Sequence, residues 1–226
     1  MDLSIKDLAK RIDHTNLKPY ASVDSITTTV LEAKKYGFRG VCIPLIYVGK
    51  AKDILKNSDV KVVTVIGFPL GYVPTKVKIL EAKTAEELGA DEIDLVMNIS
   101  AFKSGDYNFV LEDIKSVVEA VSIPVKVIIE TSFLSEDEIR LASRIVEKSG
   151  GFCVKTNTGF GKRGVTIEDV KIIRETVGSK LKIKASGGIR TFNQAIELIK
   201  AGADILGTSS GTKIIDEFRE GLKKLE

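Results

Sequence analysis

Arg11-Ile12-Asp13-His14-Thr15-Asn16-Leu17 is the stretch on which the fold turns. A short amphipathic segment precedes it, and a helical pattern carrying Ile26, Val30 and Ala33 follows, so it reads as a strand between two helices. Seven further strands are legible downstream, at Val41–Leu45, Val60–Ile66, Glu92–Asn98, Val125–Thr131, Phe152–Thr156, Leu181–Ala185 and Ile205–Thr208. Without the first stretch the sheet stays open. With it, eight strands are enough to close a barrel.

The seven downstream strands are near-continuous apolar runs rich in Val and Ile, the pattern of parallel strands covered on both faces. The segments between them have helical spacing: Ile114, Val117, Val118 and Val121; Ile139, Ala142 and Val146; Val170, Ile173 and Val177; Ile215, Phe218, Leu222 and Leu225. Capping-box pairs, Ser135 with Glu138 and Thr191 with Gln194, mark two helix starts. A glycine closes several helices just before a strand, as in Lys35-Tyr36-Gly37 and Glu87-Leu88-Gly89. Strands alternating with helices pair in parallel through right-handed crossovers. The expectation is an α/β fold, a single-domain (β/α)8 TIM barrel over residues 1–226 with a short N-terminal helix. An open doubly wound sheet is the alternative, but no glycine-rich dinucleotide turn follows the first strand.

Composition narrows the function classes. With 34 basic against 31 acidic residues and no dense basic run, nucleic acid and membrane surfaces are poor partners. No apolar stretch is long enough to span a bilayer, and the first residues lack the order of a signal peptide. The cysteines, Cys42 and Cys153, lie in apolar runs and read as reduced core residues of a cytoplasmic protein. His14 is the only histidine, which argues against a zinc site and fits a hydrogen bond within the first strand's turn. No Gly-x-Ser-x-Gly elbow is present for a serine triad.

In such a barrel the chemistry sits at the C-terminal strand ends. Those ends carry Asp94 on the fourth strand, Lys155 on the sixth and Lys184 on the seventh. Lysine is rarely buried without a partner. Lys126 and Lys182, near strand starts, read as tails that snorkel outward to helix carboxylates. Lys155 and Lys184 differ, because Thr156-Asn157-Thr158-Gly159 follows one and Ala185-Ser186-Gly187-Gly188-Ile189-Arg190 the other. A free lysine offers only about one neutral amine in 2,500 at neutral pH. A second ammonium ~4 Å away, at an effective dielectric of about 20, costs roughly 4 kcal/mol and brings the amine within reach of neutrality. The pair therefore points to an imine-forming lysine. The loops after the seventh and eighth strands, Ser186 to Thr191 and Gly207-Thr208-Ser209-Ser210-Gly211, suit a phosphate. Arg190 either pairs with that phosphate or lies over the rim.

With those residues in view, the sequence resembles the 2-deoxyribose-5-phosphate aldolase family along nearly its whole length. The matching motifs are Ile12-Asp13-His14-Thr15, Ile66-Gly67-Phe68-Pro69-Leu70-Gly71, Gly89 to Asn98, Lys126-Val127-Ile128-Ile129-Glu130-Thr131, Val154 to Phe160, Ile183 to Arg190 and Gly207 to Gly211. The resemblance implies a class I aldolase with no cofactor and no metal. It would cleave 2-deoxyribose 5-phosphate reversibly to acetaldehyde and glyceraldehyde 3-phosphate. By position, Lys155 matches the Schiff-base lysine, Lys184 the second lysine, and Asp94 the acid that works with it. Asp13 matches an acid that orients Lys184 or a substrate hydroxyl. Thr158, Gly159, Gly187, Gly188, Arg190, Gly207, Ser209 and Ser210 fall at substrate-binding positions. Asn157, Phe160 and Ile205 depart from the family pattern. The other readings are another imine-forming barrel lyase, a phosphosugar isomerase or epimerase, and a non-catalytic phosphosugar-binding barrel. A homo-oligomer is expected.

Overall fold

The structure is a computed structural model that describes residues 3–223. Eight parallel strands form a closed barrel, each bonded to the next in sequence, with the eighth returning to the first. They are β1 (Ile12–Thr15), β2 (Gly40–Cys42), β3 (Lys61–Ile66), β4 (Glu92–Val96), β5 (Val125–Ile128), β6 (Cys153–Lys155), β7 (Lys182–Ser186) and β8 (Ile205–Thr208). Arg11 to Leu17 thus supplies the closing strand, pairing with β2 on one side and β8 on the other.

Around the barrel run α1 (Ile5–Ala9), α2 (Val23–Tyr36), α3 (Val48–Ile54), α4 (Thr75–Glu87), α5 (Ile99–Lys103), α6 (Tyr107–Glu119), α7 (Glu136–Lys148), α8 (Ile167–Val177), α9 (Phe192–Lys200) and α10 (Gly211–Lys223). The expected capping boxes start α7 and α9, and two more, Ser4 with Asp7 and Thr166 with Asp169, start α1 and α8. Gly37 ends α2 at φ 63°, a left-handed conformation that costs glycine nothing. Leu225, read as part of the last helix, lies outside the described residues.

Strand residues alternate between two environments. Ile12, Val41, Val62, Ile93, Leu95, Val127, Val154, Ile183, Ala185 and Leu206 join the helices in one continuous apolar cluster. Burying each Ile, Leu or Val there is worth about 1.5–3 kcal/mol, which fixes strand register, since a one-residue slip would turn these side chains inward. Their strand neighbours face the barrel axis, and many of those are charged.

Strands end earlier than the apolar runs. β2 stops at Cys42 because Pro44 opens a single 3₁₀ turn over Leu45–Tyr47. β4 stops at Val96 because the Asn98 side chain accepts from the Ala101 amide and caps α5. β5 stops at Ile128, and Glu130 then takes a left-handed conformation with φ 55°. Among the described residues no helix is long and apolar enough to cross a membrane.

Candidate active site

Lys155 and Lys184 occupy registered positions on β6 and β7, so both side chains leave the sheet on the same face. Asp94 on β4 meets them inside the barrel. Its Oδ2 accepts from Lys155 Nζ and from Lys184 Nζ, each at 2.8 Å. The two nitrogens therefore stand no further apart than twice that distance, with a carboxylate oxygen between them. Lys184 Nζ also donates to Asp13 Oδ2 at 2.6 Å. All four side chains are buried.

Room for this cluster comes from glycine. The two register partners of Asp13 are Gly40 and Gly207. A Cβ on Gly40 would sit 2.9 Å from Asp13 Oδ1, and one on Gly207 would sit 3.0 Å from Lys184 Cε. Larger residues at either position would displace the acid or the lysine.

Lys126 is inside the barrel, not on its outer face as its position near a strand start suggested. It is fully buried, 2.9 Å from Asp94 Oδ1 and 2.7 Å from Glu92 Oε2. The register explains the difference: Lys126 pairs with Asp94 on one side and Cys153 on the other, on the strand face that points inward. Lys182 does reach solvent, where it meets Asp204 at 3.3 Å. His14 faces the helices and bonds Glu32 of α2 at 2.9 Å, outside its own turn.

Opposite charges decide the protonation of the cluster. Burial alone would raise the Asp13 carboxyl, but Lys184 and Arg39 outweigh it and hold the group at about 2. Glu92 is likewise held at about 2, with burial offset by Lys126 and Arg39. Asp94 lies well below the usual carboxylate range, since Lys126, Lys155 and Lys184 together exceed its desolvation. Burial disfavours the charged form of Lys184, yet Asp13 and Asp94 raise its proton affinity above that of free lysine. All three acids are thus anions and Lys184 is a cation. Burial pushes the Cys153 thiol up to about 12, and the Cys42 thiol also up, so neither is a nucleophile at neutral pH.

Above the cluster opens a cavity of about 390 Å³ at the C-terminal strand ends. Lys155, Thr158, Gly159, Gly187, Gly188, Arg190, Gly207 and Ser209 line it. Lys184, Asp94 and Asp13 lie beneath it. Ser210 is not in the lining; it precedes α10 and its amide bonds Thr208 Oγ1 at 2.9 Å. The loop after β1, from Asn16 to Tyr20, closes one side of the cavity. Lys18 and Arg190 are the cations at its rim, and the Lys155 amine lies at its floor, while no acidic side chain lines it.

Several supports were not read from sequence. Glu130 is buried, and its Oε2 accepts from the Thr158 amide at 2.9 Å and from Thr158 Oγ1 at 2.5 Å. It ties the loop after β6 to the end of β5. Its left-handed backbone was the missing signal, because only coordinates show it. Glu92 had a signal: it stands two residues before Asp94, so period-two alternation puts both on one face. The departures also find places. Asn157 is buried and holds Ser132 N and Ser186 O, Phe160 packs edge-on against Phe68, and Ile205 is the register partner of Lys184.

Among the described residues, no cluster of three or more His, Cys, Asp or Glu side chains is arranged to hold a metal ion.

The sequence profile of the DeoC/LacD family aldolases matches residues 7–217. A deoxyribose-phosphate aldolase of Thermococcus gammatolerans is 50% identical over 218 residues, covering 94% of this chain and 97% of that one. That of Thermotoga maritima is 50% identical over 217 residues, covering 96% and 88%. The tetrameric deoxyribose phosphate aldolase of Aeropyrum pernix superposes with a TM-score of 0.89 at 36% identity, over 96% of this chain and 92% of that one. A profile spanning almost the whole barrel, with relatives half identical over nearly all of it, leaves one conclusion: this chain belongs to the DeoC/LacD family of aldolases.

Proposed function

We propose that the protein is a class I aldolase that reversibly cleaves 2-deoxy-D-ribose 5-phosphate to acetaldehyde and D-glyceraldehyde 3-phosphate through an imine on Lys155. One observation carries the reading. Of the three lysines inside the barrel, Lys126, Lys155 and Lys184, only Lys155 lines the cavity, while the other two hold carboxylates below it. A phosphorylated substrate fits a lining whose charges are all positive, with Arg190, Lys18 and the amides around Gly187, Gly188 and Ser209 toward the phosphate.

The roles follow from position. Neutral Lys155 attacks the open-chain aldehyde, and loss of water gives a cationic imine that draws electrons from the chain. Removal of the proton from the hydroxyl two carbons away breaks the carbon–carbon bond and leaves an enamine. Protonation of that enamine and hydrolysis release acetaldehyde. Asp94 touches Lys155 and Lys184 through one oxygen, so it moves protons between the amine, the second lysine and the substrate. Asp13 holds Lys184 in place. An isomerase or epimerase would have no use for an amine in this position.

The tetrameric relative supports association of several copies of this chain, and the buried unpaired cysteines fit a cytoplasmic setting. Residues 1–226 are taken as one domain. The test is a cleavage assay with 2-deoxyribose 5-phosphate in which both products are measured. Equimolar acetaldehyde and glyceraldehyde 3-phosphate are expected, and 2-deoxyribose without the phosphate should react at least tenfold less efficiently. Absence of acetaldehyde refutes the reaction, and equal efficiency refutes the phosphate site.

A further inference from the structure

The ionic contacts inside the barrel close on themselves. Asp94 Oδ1 meets Lys126 at 2.9 Å, and Lys126 meets Glu92 at 2.7 Å. Glu92 accepts from Arg39 Nη2 at 2.6 and 2.7 Å, and Arg39 Nη1 donates to Asp13 Oδ1 at 2.8 Å. Asp13 Oδ2 accepts from Lys184 at 2.6 Å, and Lys184 returns to Asp94 at 2.8 Å. Acid and base alternate around this ring, three of each. Lys155 hangs outside it, joined by Asp94 Oδ2.

Arg39 stands at the end of the barrel opposite the substrate cavity. It lines a second cavity, of about 590 Å³, together with Asp7, Lys10, Arg11, Lys182 and Asp204 at the N-terminal strand ends. Lys61, half-exposed on β3, reaches the ring from the same end and meets Glu92 at 2.5 Å. Around Lys155 the charged and titratable groups are Asp94 on β4, Lys126 on β5, Lys184 on β7, Asp13 on β1, Cys42 on β2 and Cys153 on β6. Lys18 and Arg190 face it across the cavity.

We infer that Arg39 is a positioning residue that fixes the charge of Lys155 from the far end of the barrel, by completing a balanced ring to which the Lys155 proton is surplus. The inference rests on the reading of Lys155 as the imine-forming amine. A guanidinium stays charged at every working pH, so with Arg39 in place three acids are matched by three cations. Loss of that charge leaves the ring members one negative charge in excess, which half-exposed, solvent-screened Lys61 offsets only in part. Lys126 and Lys184 already carry their protons, and Lys155 is the amine in contact with the ring that can take another. At an effective dielectric of about 20, deleting a unit charge ~10 Å from an amine moves its titration by about one pH unit.

The test follows the rate of reductive trapping of acetaldehyde on Lys155 with cyanoborohydride across pH, read by mass. Parent, Arg39→Gln, Arg39→Lys and Lys61→Met are compared after circular dichroism has established that each is folded. In Arg39→Gln the acid limb should move up by about one pH unit, a tenfold loss of trapping below the limb that higher pH restores. Arg39→Lys, which keeps the charge, should keep the parent limb. Lys61→Met should shift it in the same direction by less, because that side chain is 46% exposed and screened. A loss in Arg39→Gln that is the same at every pH would overturn the inference and make Arg39 merely structural. If Arg39→Gln does not fold, Lys61→Met decides on the same criterion. Failure of the parent to trap on Lys155 is a different result, and it removes the aldolase reading itself.

Discussion

Three buried lysines share one barrel interior and meet one aspartate, yet only Lys155 lines the cavity above it. Lys126 and Lys184 each bridge two carboxylates, while Lys155 has Asp94 alone and shares it. Partner number and depth, not residue type, separate the amines that hold carboxylates from the one proposed to form the imine. Lys184→Met should lower the cleavage rate at least a hundredfold. It also takes one cation from Asp13, which keeps Arg39, and one from Asp94, which keeps Lys126 and Lys155, so urea denaturation should show a loss of at most about 3–5 kcal/mol. A variant as stable as the parent would contradict the buried ion pairing. Asp94→Asn should reduce the rate by a similar factor, because it removes the negative charge that Lys155 and Lys184 share and one of the two acceptor oxygens.

The loop after β6 carries Thr158 and Gly159 into the cavity, and its anchor is on another element. Glu130, held in a strained left-handed conformation at the end of β5, spends one carboxylate oxygen on that loop and the other on Ser132. Glu130→Ala should therefore raise KM for 2-deoxyribose 5-phosphate by about tenfold, with a smaller change in kcat, since charge-assisted bonds of this kind are worth about 1.5–3 kcal/mol. A fall in kcat with KM unchanged would show that the loop does not bind substrate. At this scale the sequence was easiest to read where one physical pattern dominated. β3 announces itself as an apolar run, and α7 and α9 by their capping boxes. Strand ends were obscure, because Asn98 and Pro44 stop strands through capping and turn geometry that leave apolar patterning untouched. Lys126 was misread for a related reason: alternation says that a strand has two faces but not which one is inside.

At the scale of the molecule, the barrel has an apolar outer layer and an ionic axis. The outer layer was legible, since its residues recur with helical and strand periods. The axis was legible only in part, because Lys155 and Lys184 precede telling loops and Asp94 matches the working acid of a family motif, whereas Glu92 and Arg39 carry no such mark. That axis also sets acid stability. Asp13 and Glu92 titrate near 2 in the folded protein, against ordinary values of 3.8 and 4.5. A depressed folded value adds stability above the unfolded value and loses it as pH falls toward the folded one. Unfolding free energy should therefore be flat above about pH 5 and fall steeply between about pH 4 and pH 2. A denaturation series that stays flat through that window would mean the two carboxylates are not paired.

Everything in this account turns on which nitrogen attacks the carbonyl. Incubation of the protein with acetaldehyde and borohydride, followed by peptide mass mapping, answers that directly. The account predicts one ethyl group on Lys155, absent from Lys155→Leu. An adduct on Lys184, on Lys18 or on no lysine would contradict it.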